Sequence, residues 1–377
     1  MIINKNIIAL GFVSFFTDMA SSIITTLLPL YIVYILHEGI DKLGFVVAIA
    51  TFISYGARFL FGYLSDRYKI VKPFVVIGYL LSALTKPLLY FTTSWQSIAL
   101  LRALERVGKS IRSAPKDNMI SHYSQKSQSG KTFGFHKTMD IAGEMVGAII
   151  AFWVIYFYGS DITVFKNIFA FTLIPGLIAT FIVLFFVKDI ANENKKLNNF
   201  DIKDDYRILP LLLVYFGFLF FMFNESFFII EAKQSGIKMH YIPLLIILLT
   251  FTQTLFSYFF GLKIDRYGSK NILKLSFLFA LISMIALYFD LIILSFIFLG
   301  LFLVASINAL RSYISNNAIN KSTVYGILYT GTAFSSALGS ITTGMIWKNF
   351  GEQSAVLFSI TGMIIVILAL SLKNKSV

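Results

Sequence analysis

The stretch GYLSDRY, residues 62–68, recurs 199 residues later as GLKIDRYGSK, residues 261–270. An Arg-Ser pair at 112–113 recurs at the same spacing, at 311–312. Two dissimilar pairs that share one spacing indicate an internal repeat, because chance matches would not keep a common offset. We therefore expect two halves with the same order and orientation of secondary structure.

The composition places both halves in a membrane. Of the 377 residues, 57% are hydrophobic and only 14% are charged, and the mean hydropathy is +0.78. The apolar runs are about 20 residues long, the length that a helix needs to cross the hydrocarbon core of a bilayer. The sequence lacks the short alternating segments of a β-barrel, so we predict an all-α membrane protein.

The repeat and the apolar runs together predict twelve transmembrane helices in two parallel six-helix bundles. The first bundle covers residues 1–188, a polar cytoplasmic linker covers 189–207, and the second bundle covers 208–377. The predicted spans are 7–36, 41–65, 73–93, 95–114, 132–158, 163–187, 208–230, 240–262, 271–289, 291–311, 323–347 and 353–372.

The net charge of +13 is a signal of topology. Lys and Arg crowd every second connection between the spans, whereas the other connections carry few positive charges. Short cytoplasmic loops attract such residues, so both termini are expected in the cytoplasm of a multi-pass protein of the prokaryotic cytoplasmic membrane. This distribution argues against nucleic acid as a partner.

The repeated loops resemble the signature loop of the major facilitator superfamily. The pattern G-x-L-S-D-R follows span 2, and G-x-x-x-D-R-x-G-x-K follows span 8. Lys69 stands where the first loop usually has its second glycine. The segments TDMASS (17–22) and RALERVGKSIRSAPKD (102–117) resemble a poorly characterised bacterial branch of that superfamily. The resemblance implies the major facilitator fold and a transporter.

The resemblance also implies a conformational latch at each signature loop. A small residue there permits close helix contact, and an aspartate accepts hydrogen bonds from the amino-terminal amides of a neighbouring helix. The first loop would contact the start of span 11, near Ser322 and Thr323, and the second would contact span 5. The implied latch residues are Gly62, Asp66, Arg67, Gly261, Asp265 and Arg266. The alternative is that the basic residues only fix the topology.

Span 4 carries a stripe of charge. At about 100° per residue, five of its side chains share one face of the helix: Arg102, Glu105, Arg106, Lys109 and Arg112. Depth along the helices places Asp140 level with Arg106, and Asp18 and Glu144 level with Arg102. The negative and positive charges then balance at four each. The carboxylates are Asp18, Glu105, Asp140 and Glu144, and the cations are Arg102, Arg106, Lys109 and Arg112. Arg112 and its repeat Arg311 are candidates for a cytoplasmic gate.

Ionisable residues inside a membrane usually serve function. Our hypothesis is that Asp140 or Glu144 carries a proton, which is released when Arg102 or Arg106 pairs with it as the halves move. The alternative is a static brace, in which ion pairs hold spans 1, 4 and 5 together and never titrate. The predicted site for substrate and proton coupling is therefore Asp18, Arg102, Glu105, Arg106, Lys109, Asp140 and Glu144.

The leading functional prediction is a secondary transporter that exports an amphipathic organic compound, driven by protons. Its partners are a small-molecule substrate, protons and the lipid bilayer, and we expect a monomer. One alternative is proton-coupled uptake of a small anionic metabolite, with Arg102 and Arg106 as its clamp. A remote alternative is a membrane-embedded lipid-modifying enzyme. The sequence has no cysteine, no metal-ligand spacing and no P-loop, so no cofactor, metal or ATP drive is predicted.

Overall fold

A computed structural model of the chain describes residues 4–68, 70–123, 129–190, 203–318 and 321–373. Every regular element in these ranges is helical. The α-helices are α1 (Lys5–Leu30), α2 (Ile40–Gly56), α3 (Arg58–Tyr68), α4 (Lys72–Thr85), α5 (Trp95–Tyr123), α6 (Ser129–Tyr158), α7 (Ile162–Phe171), α8 (Leu173–Phe186), α9 (Leu209–Phe221), α10 (Glu225–Gln234), α11 (Ile242–Tyr267), α12 (Ser269–Tyr288), α13 (Ile292–Asn317), α14 (Lys321–Phe350) and α15 (Glu352–Lys373).

Within the described ranges, these fifteen helices make the twelve spans, because three spans consist of two helices each. The pairs are α2 with α3, α7 with α8, and α9 with α10. Between α7 and α8 the Thr172 hydroxyl donates to the carbonyl of Phe169 over 2.6 Å, and Asn224 caps α10 by accepting from the amide of Ser226 over 3.0 Å. The prediction of an all-α membrane protein is confirmed.

Length and composition allow nine helices of the described part to cross a membrane. The helix α5 does not belong to this set, although it has 29 residues. Five Arg, Lys and Glu side chains between residues 102 and 112 interrupt its apolar sequence. A helix of this kind is stable in a bilayer only if protein or water surrounds the charges.

The chain forms two compact units. Unit 1 comprises Met1–Glu38, Ile49–Leu197 and Met239–Leu244, and unit 2 comprises Gly39–Ala48, Asn198–Lys238 and Leu245–Val377. Neither unit is one continuous piece of chain, because short segments of α2 and α11 belong to different units from the rest of those helices. The domain boundaries given above from the sequence stay a prediction.

Glycines bring the helices of unit 1 close together. Gly143 of α6 packs against the backbone carbonyl of Phe15 in α1, and Gly147 packs against that of Met19 one turn further. A Cβ atom at either glycine would collide with backbone, so only glycine permits this crossing. The helices α4 and α5 cross in the same way at Gly78 and Gly108.

An apolar core fixes one end of α5. Met119 and Ile120 of α5 are fully buried against apolar side chains of α1, α4 and α8, among them Leu10, Val75 and Val183. The apolar end and the glycine crossing to α4 together set the rotation of α5. The charged face of α5 consequently lies in the interior of unit 1.

Unit 2 has an aromatic interior. The rings of Phe218 and Phe277 are stacked with centroids 4.0 Å apart, and Phe302 packs beside Phe218. Trp347 of α14 stacks on Phe223 and on Phe227, each at 5.9 Å. These side chains are buried, so the Phe-rich sequence of α9 and α10 mainly supplies core packing.

Candidate functional site

The centre of the charged face of α5 is a carboxylate with two arginines. Arg102 donates from Nη1 to Oε2 of Glu105 over 2.7 Å, and Nε of Arg106 lies 3.3 Å from the same oxygen. Glu105 is only 1% exposed, and its other oxygen, Oε1, has no hydrogen-bond partner in the described residues. Both arginines are thus held by a carboxylate of their own helix.

Arg112 lies on the same face but contacts α4. Its Nη1 donates to the hydroxyl of Ser82 over 2.6 Å and to the carbonyl of Gly78 over 3.2 Å. Its guanidinium carbon lies 4.4 Å from the centre of the Tyr79 ring, a cation–π distance. These contacts hold Arg112 within unit 1.

Arg311, the repeat of Arg112, lies in unit 2 and is exposed. Its Nη2 donates to the hydroxyl of Tyr329 over 3.3 Å, and its backbone carbonyl accepts from Tyr325 over 2.9 Å. Each proposed gate residue therefore has partners within its own unit. The gate itself stays a prediction.

Lys86, at the end of α4, is an ionisable residue that the sequence reasoning overlooked. It is 1% exposed, and its ammonium donates to the backbone carbonyl of Thr17 over 3.4 Å. The Thr17 hydroxyl is buried and lacks a hydrogen-bond partner in the described residues. The signal was present in the sequence, because a lysine within a predicted span is a functional candidate by default.

The carboxylates of α6 have different surroundings. Oδ1 of Asp140 lies 3.4 Å from Nδ1 of His136, and Oδ2 lies 3.9 Å from the ammonium of Lys137. The prediction placed Asp140 beside Arg106, whereas the structure pairs it with two groups of its own helix. Glu144, one turn further along α6, has no Lys, Arg or His nitrogen within 4.0 Å in the described part of the chain.

Three of the predicted residues come together without contact ion pairs. Asp18 of α1, Lys109 of α5 and Glu144 of α6 are each partly buried, and they act on one another electrostatically. No ion pair in the described residues joins α5 to α1 or to α6. The cross-helix pairs predicted from depth are therefore absent from this arrangement of the described side chains.

The interior charge of unit 1 is also less balanced than the sequence suggested. Lys86 adds a cation, and Lys116 is half-buried with its ammonium 3.3 Å from the hydroxyl of Ser14. Six cations of α4 and α5 now accompany four carboxylates. The cations are Lys86, Arg102, Arg106, Lys109, Arg112 and Lys116, and the carboxylates are Asp18, Glu105, Asp140 and Glu144.

The signature loops are only partly described. Gly62 lies on α3, where a Cβ would approach the Ala114 side chain of α5 at 3.1 Å, and Gly261 has open space around it. Arg266 is exposed and stacks near the Tyr267 ring at 5.4 Å. The side chains of Asp66, Arg67, Asp265, Ser322 and Thr323 lie outside the described residues. The latch stays a prediction.

Known proteins share this architecture. The model of the Major Facilitator Superfamily matches residues 10–230, which is more than half of the chain. An uncharacterized MFS-type transporter of Methanocaldococcus jannaschii is 30% identical over 382 aligned residues, covering 96% of this chain and 93% of that protein. The multidrug resistance protein MdtH of Photorhabdus laumondii is 25% identical over 114 residues, about 30% of either chain.

Solved structures agree on the fold. The nucleoside transporter NupG has a TM-score of 0.80 at 16% identity, covering 99% of this chain and 100% of its own. A D-xylose-proton symporter has a TM-score of 0.70 at 18% identity, covering 96% and 95%. The family evidence points to transporters and not to enzymes, which removes the lipid-modifying alternative. The chain belongs to the major facilitator superfamily and is a multi-pass secondary transporter.

Proposed function

We propose that this transporter exports an amphipathic organic compound in exchange for protons, and that Glu144 carries the proton. The observation that carries the proposal is the difference among the buried carboxylates. Glu105 is held by two arginines and Asp140 lies beside His136 and Lys137, whereas Glu144 has no cation at contact distance in the described residues. Glu144 can therefore gain or lose a proton without breaking a contact ion pair.

Release of the proton needs a cation that arrives in another state. Arg102 and Arg106 are the candidates, because both lie on the charged face of α5 and share one carboxylate, Glu105. When either arginine pairs with Glu144, the charged carboxylate becomes the favoured form and the proton leaves. Lys109 and Asp18 also act electrostatically on Glu144.

The substrate class rests on a second set of residues. Unit 2 keeps several aromatic rings partly exposed, including Phe216, Phe220 and the stacked pair Tyr325 and Tyr329. Such rings bind flat apolar compounds by stacking and by burial of apolar area. The likeness to a protein named for multidrug resistance supports export, and the likeness of fold to a proton symporter supports proton coupling.

The test uses proteoliposomes with an imposed pH gradient and the membrane potential clamped by valinomycin. Ethidium and taurocholate serve as amphipathic probes, because the charge of each is fixed across the working pH range. We expect gradient-driven transport of at least one probe by the parent, and its loss in Glu144→Gln with exchange at equal pH retained. Glu38→Gln, in the loop before α2, is the matched control and should behave as the parent.

Transport by Glu144→Gln at the parent rate under the gradient would show that Glu144 is not the carrier. In that case Asp140→Asn tests the other carboxylate of α6. A parent that moves neither probe would contradict the substrate class.

A second function, uptake of a small anionic metabolite, is favoured by the surplus of buried cations in unit 1. Lys109 and Lys86 are interior lysines with no carboxylate at contact distance in the described residues, since Glu105 occupies Arg102 and Arg106. A thermal-shift screen against small carboxylates and phosphates at two pH values tests it, because a bound ligand stabilises the folded protein by mass action. Stabilisation that is lost in Lys109→Gln would support uptake of an anion.

For the topology we propose cytoplasmic termini and a cytoplasmic linker, on the distribution of Lys and Arg. The sequence contains no cysteine, so single-cysteine variants can be labelled without background. A membrane-impermeant thiol reagent added to intact cells should label Ser160→Cys and spare Lys196→Cys. The reverse pattern would contradict the orientation.

A further inference from the structure

Unit 1 contains a line of polar groups, Lys116, Ser14 and His136, to which the proposed function assigns no role. The Lys116 ammonium of α5 donates to the hydroxyl oxygen of Ser14 in α1 over 3.3 Å. The same hydroxyl lies 2.8 Å from Nε2 of His136 in α6. Nδ1 of His136 in turn faces Oδ1 of Asp140 at 3.4 Å. The line thus crosses three helices and ends at a carboxylate.

Chemistry fixes the direction of the hydrogen bonds. An ammonium can only donate, so the Ser14 oxygen accepts from Lys116 and its own proton is free to point to Nε2 of His136. A neutral imidazole with an accepting Nε2 carries its proton on Nδ1, the nitrogen that faces Asp140. Oδ1 of Asp140 is buried and accepts no hydrogen bond from the described residues, so it is free to accept the Nδ1 proton that faces it at 3.4 Å.

The same line continues toward the proton carrier. His136, Asp140 and Glu144 are four residues apart on α6, so they lie on one face at steps of about 6 Å along the axis. One water between the two carboxyl groups of Asp140 and Glu144 would bridge a gap of that order. At the other end, Lys116 is half-buried and its neighbour Asp117 is exposed, which gives the line access to solvent.

We propose that Lys116, Ser14 and His136 form a proton relay that delivers protons from solvent to Asp140 and onward to Glu144. The relay rests on the proposed function, because it needs Glu144 as the carrier. In one step, Lys116 gives a proton to Ser14, Ser14 gives its proton to His136 Nε2, and His136 gives the Nδ1 proton to Asp140. The ammonium becomes an amine, the carboxylate becomes a carboxylic acid, and His136 is left neutral with its proton on Nε2. A hydronium ion from the solvent then returns a proton to Lys116 and is left as water.

Several charged groups face His136 and set the conditions for transfer. They are Lys116 from α5, Asp18 from α1, and Lys137 and Asp140 from α6 itself. The competing explanation is that the same contacts form a static brace between α1, α5 and α6. A brace would affect stability, whereas a relay affects the rate at which a carboxyl group takes a proton.

The experiment measures protonation directly and needs no substrate. A laser-induced pH drop is applied to the purified full-length protein, and time-resolved infrared spectroscopy follows the carboxylic acid band. Glu144→Gln and Asp140→Asn identify the bands of the two carboxyl groups. We expect Ser14→Ala and His136→Asn to slow the rise of the Glu144 band about tenfold or more without changing its final amplitude.

Control variants distinguish a proton relay from a static brace. Ser14→Thr, which keeps a hydroxyl, should restore the rate, and Ser22→Ala and His122→Gln should match the parent. A Glu144 band that rises at the parent rate in Ser14→Ala and His136→Asn would overturn the relay and leave the proposed function intact. A parent without any band removed by Glu144→Gln would overturn Glu144 as the carrier, and the relay with it.

Nitrogen NMR of labelled histidine adds a structural readout. His136→Asn assigns the signal of His136, one of four histidines in the chain. We expect one dominant tautomer, with the proton on Nδ1, and a mixture of tautomers in Ser14→Ala. A parent with the proton on Nε2 would overturn the direction of transfer.

Discussion

The helices α5 and α13 occupy repeated positions in the two units, but the side chains at their repeated positions differ in charge. Both carry the Arg-Ser pair, at 112–113 and 311–312. At the common offset of 199 residues, the charged triad Arg102, Glu105 and Arg106 corresponds to Leu301, Val304 and Ala305 of α13. The second unit thus shows that a helix at this place needs no buried charge to fold.

The packing, by contrast, is shared. Gly143 of α6 contacts the carbonyl of Phe15 in α1 of unit 1, and Gly339 of α14 contacts the carbonyl of Phe220 in α9 of unit 2. The repeat therefore preserves the contacts that build the fold and varies the groups that line its interior. This difference supports our proposal that the charged groups of unit 1 carry the coupling to protons.

The largest effect on stability is expected at Glu105. Replacing it with Gln leaves two buried guanidinium groups without their carboxylate, which costs about 3–5 kcal/mol of unfolding free energy. Glu38→Gln, outside the cluster, should cost little. The measurement is denaturant unfolding in detergent micelles, and near-equal stability of the two variants would contradict the pairing seen at Glu105.

A smaller and matched pair of effects is expected at the helix crossings. Gly143→Ala and Gly339→Ala each force a methyl group against backbone, at a cost of about 1–3 kcal/mol. Gly261→Ala, with open space around its Cβ position, should be neutral or slightly stabilising. Thermal unfolding compares the three, and tolerance of alanine at only one of the two crossings would show that the packing is not shared.

A third substitution addresses the role of Arg102. Its contact is a single bond from Nη1 to Glu105, so Lys can keep the charge with a loss of about 1 kcal/mol in stability. An arginine that clamps an anionic substrate would lose more, because lysine cannot form a bidentate pair. We expect Arg102→Lys to keep substrate affinity, measured by the ligand-induced thermal shift, and a large loss would favour the clamp.

The smallest effect is expected for the ion pair of Asp41 and Lys348 in unit 2. The two groups are 3.2 Å apart, but the Lys348 side chain is 52% exposed and Lys42 lies 3.4 Å from the same carboxylate. Lys348→Met should therefore cost less than about 1 kcal/mol. A loss as large as that of Glu105→Gln would mean that the ion pairs of the two units contribute equally to the free energy of unfolding.

The sequence predicted the architecture because periodic apolar runs, alternating loop charge and a fixed repeat spacing are properties of the chain itself. It also predicted which residues of α5 share a face, and the structure buries Arg102, Glu105 and Arg112 there. The cross-helix ion pairs could not be predicted reliably, because depth along a helix does not give the direction in which a long arginine side chain points. Both arginines turn to Glu105 on their own helix.

The residues that the sequence reasoning overlooked have a common cause. Ser14 and His136 form a hydrogen bond because α1 and α6 cross closely at Gly143. The local sequence of either helix does not predict that contact. Lys86 is different, because the sequence already placed it inside a predicted transmembrane span. Lys86 is the only charged residue of the predicted span 73–93, whereas α5 carries five charges on one face.

The most direct test replaces the charged triad of α5 with the apolar residues at the repeated positions of α13. Arg102→Leu, Glu105→Val and Arg106→Ala together remove the triad while keeping the interior apolar, a change that is often neutral for stability. If the triad serves coupling, this protein should unfold near the parent temperature and lose pH-gradient-driven transport of the ethidium or taurocholate probe. A folded protein that still transports at the parent rate would contradict a role of the triad in coupling and would show that these three charges only brace the helices.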